Sequence, residues 1–128
     1  MGEREVRFVH PAELTSADHL TPGMHREVAF AQEGVWVGTV RTEPGVFTGW
    51  HHHGDYETYI YVTSGEFRLE WGPGGNRAEA GGPGTFIHVP GGVIHREASA
   101  SDDGVEALLF RVGAGQVVVN VDGPAPAE

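Results

Sequence analysis

Trp50-His51-His52-His53-Gly54-Asp55-Tyr56-Glu57, answered downstream by Pro90-Gly91-Gly92-Val93-Ile94-His95, is the pair of segments on which the reading of this chain turns. Side chains alternate faces along an extended strand, so His51 and His53 point one way and His52 the other. Two imidazoles then face one space. A His-x-His pair on a strand offers two ligands to a single ion, at roughly 2.0–2.2 Å, without distorting the backbone. Glu57 or His95 can complete the shell. A solvated turn or an affinity-tag remnant also produces consecutive histidines, but a tag sits at a terminus. This run lies mid-chain, between a glycine-spaced apolar segment and a strand-like one.

The flanking sequence reads as β structure throughout. Thr58-Tyr59-Ile60-Tyr61-Val62-Thr63 is the clearest strand by its β-branched and aromatic content, and a tight turn at Gly54-Asp55 predicts a hairpin with the histidine strand. Residues 66–71 alternate polar and apolar, which predicts one buried face with Arg68 and Glu70 toward water. Further strands are expected over 6–9, 26–30, 34–40, 85–89, 93–98 and 105–112, with a last one within 113–120. The polar connection 11–20 holds a helical turn near Ala12-Glu13-Leu14. Trp36 reads as a core or interface residue. Twenty glycines and eight prolines, spread rather than clumped, punctuate these runs and predict an all-β sandwich or barrel. The glycine clusters at 72–75 and 81–84 are not phosphate loops, because no helix follows them.

At 128 residues the chain is long enough to bury about two thirds of its unfolded surface in one core. It has no cysteine, which removes disulfides, thiolate ligands and a cysteine nucleophile. All eight positive residues are arginine, so lysine Schiff-base chemistry is excluded. A formal net charge of −10 repels phosphate backbones and anionic membrane surfaces, so neither nucleic acid nor membrane is an expected partner. No apolar stretch approaches the roughly 20 residues of a membrane span, and the first residues do not resemble a signal peptide. The expected location is cytoplasmic.

With both histidine segments in view, the chain resembles the cupins, a family of small metal-binding jelly-roll barrels. Gly45, five residues, His51-x-His53, three residues and Glu57 follow the family's first motif, which closes at Gly65. Gly84, Pro90, Gly92 and His95 follow the second in every spacing, with Ser99 in place of its asparagine. The resemblance implies an all-β, single-domain jelly-roll β-barrel over residues 1–128, with the barrel at 28–112, an N-terminal arm at 1–27 and a C-terminal tail at 113–128. It implies His51, His53, His95 and Glu57 as metal ligands. Gly65, however, stands one residue late for Glu57. Strand parity from it aims Thr58 inward and Glu57 outward unless a bulge intervenes, which would leave a three-histidine site.

The implied cofactor is one divalent transition metal ion, Fe2+ or Mn2+ in the first place, with Ni2+, Zn2+, Co2+ and Cu2+ also accepted by imidazole. His88 is a candidate catalytic base if its face of the strand looks into the barrel; otherwise it is a half-buried histidine satisfied by the backbone. Phe47, Tyr59, Tyr61, Phe86 and Phe110 are candidates for the wall of a substrate pocket, with core packing as their alternative role. The function so implied is a metal-dependent enzyme on a small oxygen-rich molecule, a dioxygenase-type oxidoreductase or an isomerase or cyclase. The alternative is a non-catalytic metal-dependent binding or sensing module. Homodimerisation is expected by resemblance and by the exposed edges of a small β-barrel.

Overall fold

The computed structural model describes residues 4–17, 22–114 and 118–127. Among these, eleven strands form two antiparallel sheets. The first sheet contains β1 (Thr15–Ser16), β2 (Met24–Gln32), β3 (Val35–Thr42), β5 (Glu57–Ser64), β8 (Phe86–Val89) and β10 (Val105–Val112), in the order β1-β2-β3-β10-β5-β8. The second contains β4 (His51–His52), β6 (Phe67–Trp71), β7 (Arg77–Gly81), β9 (His95–Ser99) and β11 (Val119–Asn120), in the order β11-β4-β9-β6-β7. This is the all-β architecture that the glycine-punctuated sequence predicts and the jelly roll that the family resemblance implies. No helix among the described residues is long and apolar enough to cross a membrane.

Alternation in the sequence becomes inside and outside in the fold. Along β10 every second residue is buried: Val105, Ala107, Leu109 and Arg111. Met24, Trp36, Val40, Ile60, Val62, Phe67, Leu69 and Val89 meet them from both sheets to form the core. Phe67 and Leu69 face inward from β6, and Arg68 and Glu70 lie on the opposite face, as the alternation requires. Glu70 is nonetheless largely covered, because it accepts hydrogen bonds from Arg68 Nε at 3.1 Å and Arg96 Nε at 2.7 Å. Gly65 ends β5 at φ +76°, and a Cβ there would lie 2.2 Å from the carbonyl oxygen of Gly104. Only glycine suits that crossing of two loops.

Two expectations are corrected and one unassigned segment gains a strand. Residues 6–9 form no strand: Val6 and Phe8 are exposed, and this segment is tethered by Arg7, whose Nη2 donates to Gln32 Oε1 and whose guanidinium lies over Phe30. The expected helical turn follows directly, at Pro11–Glu13. Second, β4 and β5 do not form a hairpin. The turn at Gly54-Asp55 carries the chain from one sheet to the other, where β4 pairs with β9 and β11, and β5 with β8 and β10. The unassigned segment, Arg77–Gly81, is a strand, although its composition has little β-propensity. It is an edge strand held by pairing with β6.

Candidate metal centre

The crossing between sheets is what presents the histidines to the interior. His51 and His53 are 0 % and 3 % exposed, with His52 turned the other way to accept the Gly54 N–H. Antiparallel pairing sets His51 opposite His95. The three rings close on one another, with centroid separations of 4.5 Å for His51–His95, 5.0 Å for His53–His95 and 5.1 Å for His51–His53. A fourth buried side chain joins them, Glu97, two residues beyond His95 on the same face of β9. One ligand atom from each of the four lies within 4.8 Å of all the others.

Hydrogen bonding determines what these atoms can do. A carbonyl oxygen only accepts, so the contacts from His51 Nδ1 to Gly49 O and from His95 Nδ1 to Val93 O, both 2.9 Å, fix a proton on each Nδ1. In the neutral rings Nε2 is then a lone-pair acceptor. Yet His95 Nε2 stands 3.0 Å from Glu97 Oε1, and His51 Nε2 stands 3.7 Å from it. Two neutral imidazole acceptors facing a carboxylate require a proton or a cation between them. Glu97 Oε2 and His51 Nε2 are buried with no hydrogen-bond partner. Two or more imidazole nitrogens and a carboxylate oxygen converging in this way match the donor set of a divalent transition ion.

Glu97 is held there by Thr48, whose N–H donates to Glu97 O at 2.8 Å and whose Oγ1 accepts from Glu97 N at 2.9 Å. Burial by itself raises the Glu97 carboxyl pKa, but the facing imidazoles of His51 and His95 outweigh it and hold the group well below the usual range. For His53, burial is the main cause, with the positive charge of Arg111 next, and together they push the imidazole down to about 2. It is therefore neutral and available as a ligand at physiological pH.

A pH dependence follows. A group whose pKa is lower in the folded than in the unfolded chain stabilises the fold fully above its unfolded value and loses that contribution as pH falls. For His53 the loss begins near the ordinary 6.5 and continues toward 2. The metal-free protein is expected to lose stability steadily as pH drops below about 6.5, and His53→Gln to flatten that slope. Urea denaturation at a series of pH values checks this.

The remaining sequence candidates are placed elsewhere. Glu57 lies outside the group: parity turns Thr58 inward and Glu57 outward, where Oε1 is 2.7 Å from His88 Nε2 and Oε2 accepts the Gly91 N–H at 2.6 Å. Those two contacts, Gly91 first, hold its carboxyl below the usual range. His88, expected as a base if its face looked inward, stands on the outer face of β8, stacked on Tyr59 at 4.8 Å. Phe47 lies against Arg96 on the outside of the second sheet. Tyr59, Tyr61 and Phe110 lie on the outer face of the first sheet, their inward neighbours being Thr58, Ile60, Leu109 and Arg111. Phe86 and His88 border a cleft, Phe86 with 79 % of its surface exposed.

That cleft, of about 300 Å3, is walled chiefly by Phe67, Leu69, Trp71, Ile87, Val89 and Val93 and reaches His95. Sequence reasoning missed both this wall and Glu97. The signal for Glu97 was present, since His95-Arg96-Glu97 has the same alternate spacing as His51-His52-His53.

The family model for the cupin domain matches residues 38–111. KdgF from Halomonas sp. is similar in structure, with a TM-score of 0.68 at 21% identity over 86% of this chain and 96% of that one. The Schizosaccharomyces pombe Cnp3 cupin domain gives 0.64 at 11% identity over 71% and 65% of the two chains. Oxalate decarboxylase from Bacillus subtilis gives 0.67 at 19% identity over 79% of this chain, which spans only 28% of that longer one. No curated protein matches the sequence. The matched span, the two facing sheets and the histidine segments at their junction agree: this chain belongs to the cupin domain family.

Proposed function

We propose that the protein is a mononuclear metal enzyme that oxidises a small oxygen-rich organic molecule in a dioxygenase-type reaction. The observation that carries this reading is the buried His51–His53–His95–Glu97 group at the end of an apolar cleft. These four residues would hold one divalent ion, Fe2+ or Mn2+ in preference. Bound there, such an ion supplies Lewis acidity and, for these two metals, one-electron chemistry with O2. Manganese(II) centres are described for the Bacillus subtilis oxalate decarboxylase, whose fold this chain shares.

The chain's own residues supply orientation and exclusion of water. The carbonyls of Gly49 and Val93 fix the tautomers of His51 and His95, and Thr48 holds Glu97 in register. Phe67, Leu69, Trp71 and Ile87 give the cleft an apolar wall. His88 borders the cleft with its Nε2 hydrogen-bonded to Glu57, a pairing that leaves Nδ1 as the basic nitrogen of the ring and would serve proton transfer in an isomerase or cyclase, the second reading. The test is oxygen uptake by anaerobically prepared, Fe2+- or Mn2+-loaded protein with β-diketones, enols, phenols and short organic acids. Uptake that disappears in His51→Ala supports the proposal; tight ligand binding with no consumption of ligand or O2 supports a binding module instead.

A homodimer is proposed with it. The outer face of the first sheet exposes Tyr59, Phe86, Leu108, Phe110 and Val112 together, and a second copy would cover this apolar patch. Sedimentation is expected to give twice the chain mass of 13.7 kDa, and Phe110→Glu to give the monomer.

A further inference from the structure

Two arginines point into the barrel. Arg26 on β2 is 0 % exposed and Arg111 on β10 is 1 % exposed, in a chain of formal net charge −10. Arg26 donates through Nη2 to Met24 Sδ at 3.6 Å, and Arg111 lies over the Trp36 ring at 4.8 Å. The Nε and Nη1 atoms of Arg111 are buried and meet no acceptor. A buried, charged donor left without an acceptor is among the costliest polar defects a fold can carry. Nor do the interior charges balance. Among the described buried residues Glu97 is the one carboxylate against two guanidiniums, and a divalent ion at the histidines would add further positive charge.

Arg111 does not itself line the cleft, but strand pairing sets it two strands from the cleft wall. It pairs across β10 with Trp36 on one side and Thr58 on the other, and Thr58 pairs with Val89. Val89, Thr58 and Arg111 thus form an inward row, at about 4.8 Å per strand, from the cleft wall to the guanidinium. Thr58 Oγ1, midway along the row, is likewise buried without a partner. The charge of Arg111 is felt at His53. Burial and the neighbouring Arg26 bring its own pKa down to about 9, so it remains a cation at neutral pH.

We infer that Arg111 is the anion anchor of the site: its unpartnered donors receive the carboxylate of a short organic acid lying along the Val89–Thr58–Arg111 row, with the acid's other oxygens toward the histidine group. This rests on the metal reading for the far end of the acid, and it narrows the substrate class from oxygen-rich molecules in general to small carboxylic acids.

The test is calorimetric titration of the Mn2+-loaded chain with malonate and with its uncharged analogue malonamide. Malonate is expected to bind more tightly than malonamide. Arg111→Met should weaken malonate by roughly 10- to 100-fold, leave malonamide unchanged and retain the Mn2+. Its thermal midpoint should be no lower than wild type, because the substitution removes an unpartnered buried charge. Equal affinities of wild type for the acid and the amide overturn the anchor, as does equal malonate affinity in wild type and a folded, manganese-retaining variant. Should Arg111→Met fail to fold, the acid-against-amide comparison is made on metal-free wild type, where carboxylate–metal bonding cannot favour the acid, and equal affinities there overturn the anchor. A chain that takes up no Mn2+ overturns the metal reading instead, and the same comparison on metal-free protein then decides the anchor.

Discussion

Replacing His95 by alanine is expected to lower the affinity for Mn2+ by about 100-fold or more, beyond the roughly 10–100-fold typical of residues that only support a ligand. His95 lies 4.5 Å and 5.0 Å from the other two rings and makes the shortest approach to Glu97, at 3.0 Å. Removing it takes away a ligand and leaves Glu97 Oε1 buried without its nearest partner, so the metal-free protein should be destabilised as well. Glu97→Ala is expected to lose the metal in the same way. Glu57→Ala should keep it, since that carboxylate is engaged with His88 and Gly91 on the outside of the barrel. Competition titrations with a chromophoric chelator rank the three variants. Comparable loss in Glu57→Ala and Glu97→Ala would contradict the assignment.

Phe67→Ala is expected to cost about 3–5 kcal/mol, a large share of the roughly 5–15 kcal/mol by which domains are stable. Phe67 is 1 % exposed, points inward from β6 and packs in the core formed by both sheets. Because it also walls the cleft beside the metal group, truncation leaves a void where the sheets are already parted by the cleft, and local collapse can recover little of the loss. Thermal unfolding should move down by roughly 10–20 °C. Phe67→Leu, which keeps most of the volume, should cost less than half as much. An alanine variant within about 1 kcal/mol of wild type would mean that the two sheets do not share this core.

Much of the molecule was legible because alternate spacing on strands is a strong local signal. It places His51, His53 and Thr58 on the inner face, and the intervals around Pro90 and Gly92 bring His95 to the same space. It equally puts Glu57 outside, and applied to His95-Arg96-Glu97 it supplies the carboxylate that Glu57 does not. What local signals do not contain is partnership between sheets. The turn at Gly54-Asp55 has the same chemistry whether it closes a hairpin or crosses from one sheet to the other, and here it crosses. Aromatic content marks Tyr59, Tyr61 and Phe110 as strand residues, but their face is set by the residues between them. Thr58, Ile60, Leu109 and Arg111 take the interior, and so the aromatics lie outside. A fully buried arginine such as Arg111 has no sequence signature beyond its place in that alternation.

The most direct test is pulsed electron paramagnetic resonance of the Mn2+-loaded chain. One Mn2+ per chain, coupled to three histidine nitrogens, with a signal altered in Glu97→Gln and unchanged in Glu57→Gln, is the result predicted by the His51–His53–His95–Glu97 centre. Manganese held without histidine coupling, or coupling to three histidine nitrogens that persists undiminished in His51→Ala and His95→Ala alike, would contradict it.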